Sequence, residues 1–206
     1  MTRAKNGELW IFRVDSSRLQ AKRSSDAGVT WGNVITIKSN LNDPKGTTDA
    51  VAFTTASGNY VGVGYGEAGN GTRRFGFFLH RDGDPDSVWS DESAQVMPLG
   101  TENAQNNLCM AVDGGNNVYL FVRTNSGDPG DPRNTLYKRH ANGTWSAFVV
   151  NAVSSNVAWQ SPAIAIDGEN GRLYLLGRNV TSNIVEYKTA LIGHEHTLAA
   201  AAIQTA

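Results

Sequence analysis

The chain has 206 residues, 40% of them hydrophobic and 18% charged, with a net charge of −1. That length suits one domain or a piece of a larger one, and the near-neutral balance gives no footing for a nucleic-acid or anionic-membrane partner. The single Cys109 excludes an intramolecular disulfide, and no apolar run approaches a membrane span.

The first residues, Met1-Thr2-Arg3-Ala4-Lys5-Asn6-Gly7, carry charge without an apolar core behind it, so they do not read as a signal peptide. The expectation is a soluble chain of unassigned compartment. Its 22 Gly against 6 Pro, with many Asn and Ser, favour many turns and many short strands.

Taken in order, the first strands are expected at 9–14, 19–23 and 31–37, with no first strand before them. Between the second and third lies Ser24-Ser25-Asp26-Ala27-Gly28-Val29-Thr30-Trp31. Asp26 can fold its carboxylate onto nearby backbone N–H groups and Gly28 can take positive φ, so the stretch reads as a hairpin turn. The second unit gives strands at 50–54, 60–65, 74–80 and 88–96. The third gives 108–112, 118–123, 135–139 and 144–150, and the fourth 163–166, 172–177 and 184–191. Residues 196–206 are left to supply either the missing first strand of the first unit or the missing fourth strand of the last.

Two series repeat with one period. A turn followed by an apolar strand recurs with Trp10, Val61, Tyr119 and Tyr174 in equivalent places, and a Trp after a polar hairpin recurs at Trp31, Trp89 and Trp145. Units of about 55 residues with four short strands read as propeller blades that pack face to face. The expected fold is an all-β propeller of about four blades, near 7–48, 49–106, 107–160 and 161–206. The strand-four Trp should wedge against the neighbouring blade.

Ser24, Asp26, Gly28, Thr30 and Trp31 fit the pattern S-x-D-x-G-x-T-W at every specified position. The pattern resembles the Asp-box (BNR) repeat of the sialidase-like β-propeller superfamily, and the likeness covers almost all of residues 7–191. The stretch 106–188 is especially similar to the later blades of large bacterial propeller proteins of unknown function. The resemblance implies fold more than function, because in that superfamily the Asp box lies away from the catalytic face. A chain of about four blades can be a compact ring, a fragment of a longer chain, or a part-ring completed by another copy; the abrupt ending favours a partial ring.

In a propeller the loops joining strands 2 and 3, and strand 4 to the next strand 1, share one face. The residues expected there are Tyr65, Arg123 and Arg178 at the ends of second strands, with Glu67 nearby. Asp49, Asn107, Trp159 and Gln160 arrive just before or at first strands. Arginines bind carboxylates in bidentate fashion, aromatics stack on sugar faces and amides bind hydroxyls.

The expected role is recognition of a glycan or protein ligand on this face by Arg123, Arg178, Tyr65, Asp49, Asn107, Trp159 and Gln160, without catalysis. The alternative is a glycoside hydrolase. By resemblance to sialidases, Tyr65 would then be the nucleophile, Glu67 its partner and Asp49 the acid/base, with Arg123 and Arg178 binding the substrate carboxylate. The family's Arg-Ile-Pro motif and a third Arg on that face are absent, and Arg13 is one residue out of register. A third reading is a structural scaffold or shared ring.

Other motifs receive plainer readings. Gly64-Tyr65-Gly66-Glu67-Ala68-Gly69 matches G-x-G-x-x-G but no helix follows, so it reads as a flexible loop. Asp82-Gly83-Asp84-Pro85-Asp86 reads as a degenerate Asp box, and residues 126–132 as a candidate binding loop. His194 and His196 lack a third ligand, and Cys109 reads as a small core residue. No metal or cofactor is assigned.

Overall fold

The computed structural model describes residues 1–15, 17–41, 44–69, 72–93, 104–124, 134–151 and 159–206, and for 44–46, 68, 69, 72–74, 104–106 and 124 the backbone course alone. The chain forms a β-propeller of four antiparallel four-stranded sheets, each a meander in sequence order. The first sheet comprises β1 (Thr2–Arg3), β2 (Leu9–Asp15), β3 (Arg18–Ser24) and β4 (Ile35–Lys38). The second holds β5 (Pro44–Thr55), β6 (Gly58–Gly69), β7 (Thr72–Arg81) and β8 (Ser90–Asp91). The third holds β9 (Ala104–Val112), β10 (Val118–Thr124), β11 (Asn134–Arg139) and β12 (Trp145–Asn151). The fourth holds β13 (Trp159–Asp167), β14 (Arg172–Asn179), β15 (Val185–Leu191) and β16 (Gln204–Thr205). No helix among the described residues is long and apolar enough to cross a membrane.

Both end blades are completed locally. Thr2 and Arg3 pair with Trp10 and Leu9, supplying the first strand that the sequence left missing. Gln204 and Thr205 pair with Tyr187 and Glu186, so the tail fills the last blade's outer edge. Glu195–Thr197 forms a single 3-10 turn, and Leu198 is fully buried beside Tyr119, Phe121 and Val150 of the third sheet. A leucine thus packs on the neighbouring blade where the period called for a tryptophan.

The two later tryptophans do wedge between blades. Trp89 meets Trp10 edge-on at 5.6 Å and Phe12 at 6.0 Å, both in the first sheet. Trp145 meets Phe77 of the second sheet at 5.2 Å, and its indole N–H donates to Glu92 at 2.9 Å. Arg139 grips the same carboxylate through two bonds of 2.8 and 2.9 Å. Such charge-assisted, largely buried pairs fix the relative angle of two sheets better than apolar contact alone.

Strand alternation decides which side chains enter each inter-blade core. Val61, Val63, Tyr65 and Glu67 of β6 face the first sheet, where Val63 and Tyr65 pack with Leu19 and Leu41. Gly62, Gly64 and Gly66 face the third sheet. A Cβ on Gly64 would stand 2.8 Å from Met110 Sδ, and one on Gly62 3.1 Å from Phe53. The glycines therefore make room for large neighbours, and the expectation of a flexible loop at 64–69 is corrected. These residues lie in the β6 ladder, paired from Gly64↔Phe77 to Gly69↔Thr72.

The polar hairpin at 24–31 folds as its chemistry dictates. Gly28 N–H donates to Ser24 Oγ at 2.8 Å, Thr30 N–H to Asp26 Oδ1 at 2.8 Å and the Thr30 hydroxyl to Asp26 Oδ2 at 2.6 Å. Gly28 sits at φ +92°. The following strand starts at Ile35 and not at Trp31, because Gly32 N–H still closes the turn on Arg23 O. In the second sheet the equivalent acidic hairpin is tied across to the first. Asp82 accepts from Asn6 N–H at 3.2 Å, and Asp86 pairs with Arg23 at 3.2 Å.

Candidate functional site

The ends of β2, β6, β10 and β14 lie together at one end of the blades, as the repeat implies. Their side chains do not all project the same way. Aligning the units on their leading turn residues, Gly7, Gly58, Asn116 and Gly171, puts Val61 in the series with Trp10, Tyr119 and Tyr174. But Gly58 is already inside the ladder, paired with Thr55, whereas Gly7 and Gly171 precede their strands. The second blade is therefore read one residue out of phase, and such a slip reverses the face of every side chain. Arg123 and Arg178 lie on the forward faces of blades three and four, while Tyr65 turns back onto blade one.

At the junction of the first two blades this places a compact polar group. Lys38, the last residue of β4, donates its ammonium to the Tyr65 phenol oxygen at 2.7 Å and to Glu67 Oε1 at 3.3 Å. The Tyr65 hydroxyl lies 3.3 Å from Ser93 Oγ, which accepts from Phe77 N–H at 3.1 Å. Tyr65 is fully buried and Glu67 is 5% exposed. Burial pushes the Tyr65 phenol above its ordinary pKa, against the opposing pull of the Lys38 and Ser93 bonds, so the hydroxyl keeps its proton.

Asp49 has a joining role. Its Oδ1 accepts from Ala50 N–H and its Oδ2 from Met110 N–H, both at 2.8 Å, stitching the innermost strands of blades two and three. Asn107 is half-buried three residues before that contact, and Cys109 is partly buried with its thiol pushed up by desolvation.

Between blades three and four, Asn134 accepts from Trp159 N–H at 3.0 Å and donates to Trp159 O at 3.2 Å. Arg123 stands opposite Asn134 in the ladder, and Gln160 opposite Arg178. Trp159 is wholly buried, donates its indole N–H to Glu186 at 2.8 Å and meets Phe121 edge-on at 6.4 Å. Its ring packs between blades and offers no open face for a sugar to stack on. Gln160 and Arg123 are half-buried, and Arg178 is exposed on the far side of the fourth sheet.

Lys38, Ser93, Asn134 and Glu186 were not legible as site residues. Lys38 and Asn134 flank loops on the expected face, but from the side of the loop not considered: the end of a fourth strand and the start of a third. The candidate loop 126–132 lies outside the described residues. Among those described, no group of three or more His, Cys, Asp or Glu residues could hold a metal ion.

No family model and no curated protein matches the chain. Solved structures do. The chain is similar to the α-L-arabinanase of Penicillium chrysogenum complexed with arabinobiose, at TM-score 0.59 and 12% identity, covering 98% of this chain and 65% of that one. It is similar to the GH93 α-L-arabinofuranosidase of Fusarium graminearum with arabinobiose, at TM-score 0.62 and 13% identity, over 98% and 64%. It is also similar to the Trypanosoma rangeli sialidase in complex with sialic acid, at TM-score 0.54 and 16% identity, over 92% and 30%. The chain thus spans just under two thirds of the first two and less than a third of the last. At these identities the likeness is one of fold.

Proposed function

We propose that this propeller acts on carbohydrate as a glycoside hydrolase, with the strand 2–3 loop end of its blades as the glycan-binding face. The observation that carries the reading is the Lys38–Tyr65–Glu67 group at that end, in a fold whose matched structures are named for arabinan, arabinofuranoside and sialic acid chemistry. Glycosidic cleavage needs a carboxylate to attack or to activate water, and a donor to protonate the leaving oxygen. In this reading Glu67 and Asp49 are the carboxylates for the first of those roles. Tyr65 retains its proton and shares the Lys38 ammonium with Glu67. Arg123, Asn107 and Gln160 supply half-buried donors for sugar hydroxyls or a carboxylate.

One observation favours a second reading, recognition without turnover. Glu67 is closed under its ion pair with Lys38, and both Asp49 oxygens are engaged by backbone N–H groups. Release of reducing ends from arabinan and of aglycone from fluorogenic arabinofuranoside and sialoside separates the two. Turnover lost in Glu67→Gln supports hydrolysis. Retention on a glycan in affinity electrophoresis without turnover, weakened by Arg123→Ala, supports recognition. Neither turnover nor retention refutes both.

A further inference from the structure

The innermost strands of the last three sheets leave regular pairing at the same end. The ladder is irregular in β5 between Pro44 and Thr48, in β9 between Ala104 and Leu108, and in β13 between Gln160 and Ala163. This is the end that carries the strand 2–3 loops. In β13, Gln160 pairs with Arg178 and Ala163 with Leu176, so Ser161 and Pro162 together stand opposite Gly177 alone. Two residues facing one make a β-bulge, a device that re-aims a side chain and that gathers beside binding sites.

Ser161 has φ +51°, in the left-handed region. A bulge whose first residue is left-handed ordinarily takes Gly there, because a Cβ is crowded in that conformation. Here the Cβ is present, and Pro162 pushes the residue before it towards extended backbone as well. Such a conformation persists only where its surroundings impose it. Trp159, two residues earlier, is wholly buried, with its backbone held by Asn134 and its indole by Glu186. Gly177 leaves the room that Trp159 fills. Pro162 is buried too, and a bulge on an edge strand is a place where its missing N–H does no harm. Ser161 itself is exposed, and among the described residues its hydroxyl has no partner. Its side chain therefore stands where glycine would fit better and makes no bond within the described fold.

We propose that Ser161 is a glycan-contact residue, held in the bulge so that its hydroxyl exchanges hydrogen bonds with a hydroxyl of the sugar. The inference rests on the glycan reading of this end of the blades. β13 is the inner edge strand of its sheet, so no further strand of that sheet lies over the bulge. Half-buried Gln160 precedes Ser161, and half-buried Asn107 lies in the irregular stretch of β9. Two amides and a hydroxyl, each both donor and acceptor and none charged, match the hydroxyls of a sugar ring. Backbone strain kept at a point of contact fixes the direction of the hydroxyl before the ligand arrives, which lowers the ordering cost of binding.

The wild type, Ser161→Ala and Ser161→Gly test this against soluble arabinan and polysialic acid. Affinity is read as retention in affinity electrophoresis or, where the polymer is cleaved, as KM, and thermal unfolding is measured alongside. On the polymer that the wild type binds or cleaves, both variants should lose about three- to tenfold in affinity, the effect of one neutral hydrogen bond. Ser161→Gly should at the same time melt no lower than the wild type, because glycine takes positive φ freely. Affinity that both variants keep in full overturns the role of Ser161 and leaves the glycan reading standing. A Ser161→Gly protein that melts more than about 5 °C below the wild type shows that the serine serves the fold, and overturns the role as well. A wild type that neither binds nor cleaves either polymer overturns the glycan reading and this inference with it.

Discussion

Tyr65 and Arg123 stand near the ends of equivalent second strands and project from opposite faces of their blades. Tyr65 turns back to the first sheet and receives the Lys38 ammonium at 2.7 Å, whereas Arg123 shares the forward face of Tyr119 and Phe121. One residue of phase separates the two outcomes, because side chains in a strand alternate strictly. The pair therefore cannot close on one substrate group from the same side, which redraws the site around the first blade junction for Tyr65 and the third for Arg123.

The Lys38–Glu67 pair has a consequence for stability. Both heads are largely buried, so removing one partner strands a charge, while removing both removes the problem as well as the bond. Lys38→Met should cost about 3–5 kcal/mol and Lys38→Met with Glu67→Gln less than that single change. Urea unfolding of the wild type, both singles and the double completes the cycle. Additive losses would mean the two groups do not communicate.

Much of this architecture was readable beforehand, and the failures have physical causes. The blade repeat, the later tryptophan wedges and most strand positions follow from periodicity and turn chemistry, which are local. The first strand at Thr2–Arg3 was missed, and the last at Gln204–Thr205 was expected only as one of two uses of residues 196–206, because two-residue strands carry no periodicity. Gly64–Gly69 was misread because glycine-rich sequence signals a loop unless a neighbour's bulk fills the vacant side, and Met110, Leu120 and Phe75 come from other strands. The site suffered most. Facing depends on phase within the blade, and polar partners such as Lys38 and Ser93 are brought together by packing between blades.

The glycines of the second sheet should respond unequally to a methyl group. At Gly76 the new Cβ would fall within the Tyr65 ring, which is buried and has no room to turn, so Gly76→Ala should cost at least about 3 kcal/mol. At Gly64 the obstacle is the flexible end of Met110, 2.8 Å away. Gly64→Ala should cost about 1 kcal/mol in the wild type, and less when introduced into a Met110→Ala background. Chemical denaturation midpoints order the variants, and equal losses at both positions would contradict the packing described.

The hairpin at Asp26 predicts an acid-side signature. Bonds from the Thr30 hydroxyl first, then from Thr30 N–H and Ser24, lower the Asp26 pKa from 3.8 to about 2. A carboxylate with a depressed folded pKa contributes stability that is present above its unfolded pKa and lost as pH falls through the folded one. The wild type should therefore melt above Asp26→Asn at pH 6, with the gap closing between about pH 4 and pH 2. A gap constant across that range would show that the amide loses the turn for reasons other than charge.

Lys188 gives the opposite sign. Its ammonium is buried and donates to the carbonyls of Val150 at 2.6 Å, Leu198 at 3.0 Å and Ala199 at 3.4 Å, so it holds the terminal segment against the third blade, with no carboxylate partner among the described residues. Burial pushes its pKa down from the ordinary 10.5. For a lysine with a depressed folded pKa, the unfolded chain binds the proton more tightly than the folded one. The cost of the buried charge is then present below the folded pKa and relieved as pH rises through it. The neutral amine still donates two hydrogens, so most of the carbonyl contacts survive the titration. Lys188→Met should cost about 1–3 kcal/mol through the unpaired carbonyls. The wild type's advantage over that variant should grow as the pH is raised from 7 toward 10. Thermal unfolding of both proteins across that interval measures the trend, and an advantage that shrinks with pH would mean the charge itself, and not the carbonyl contacts, secures the tail.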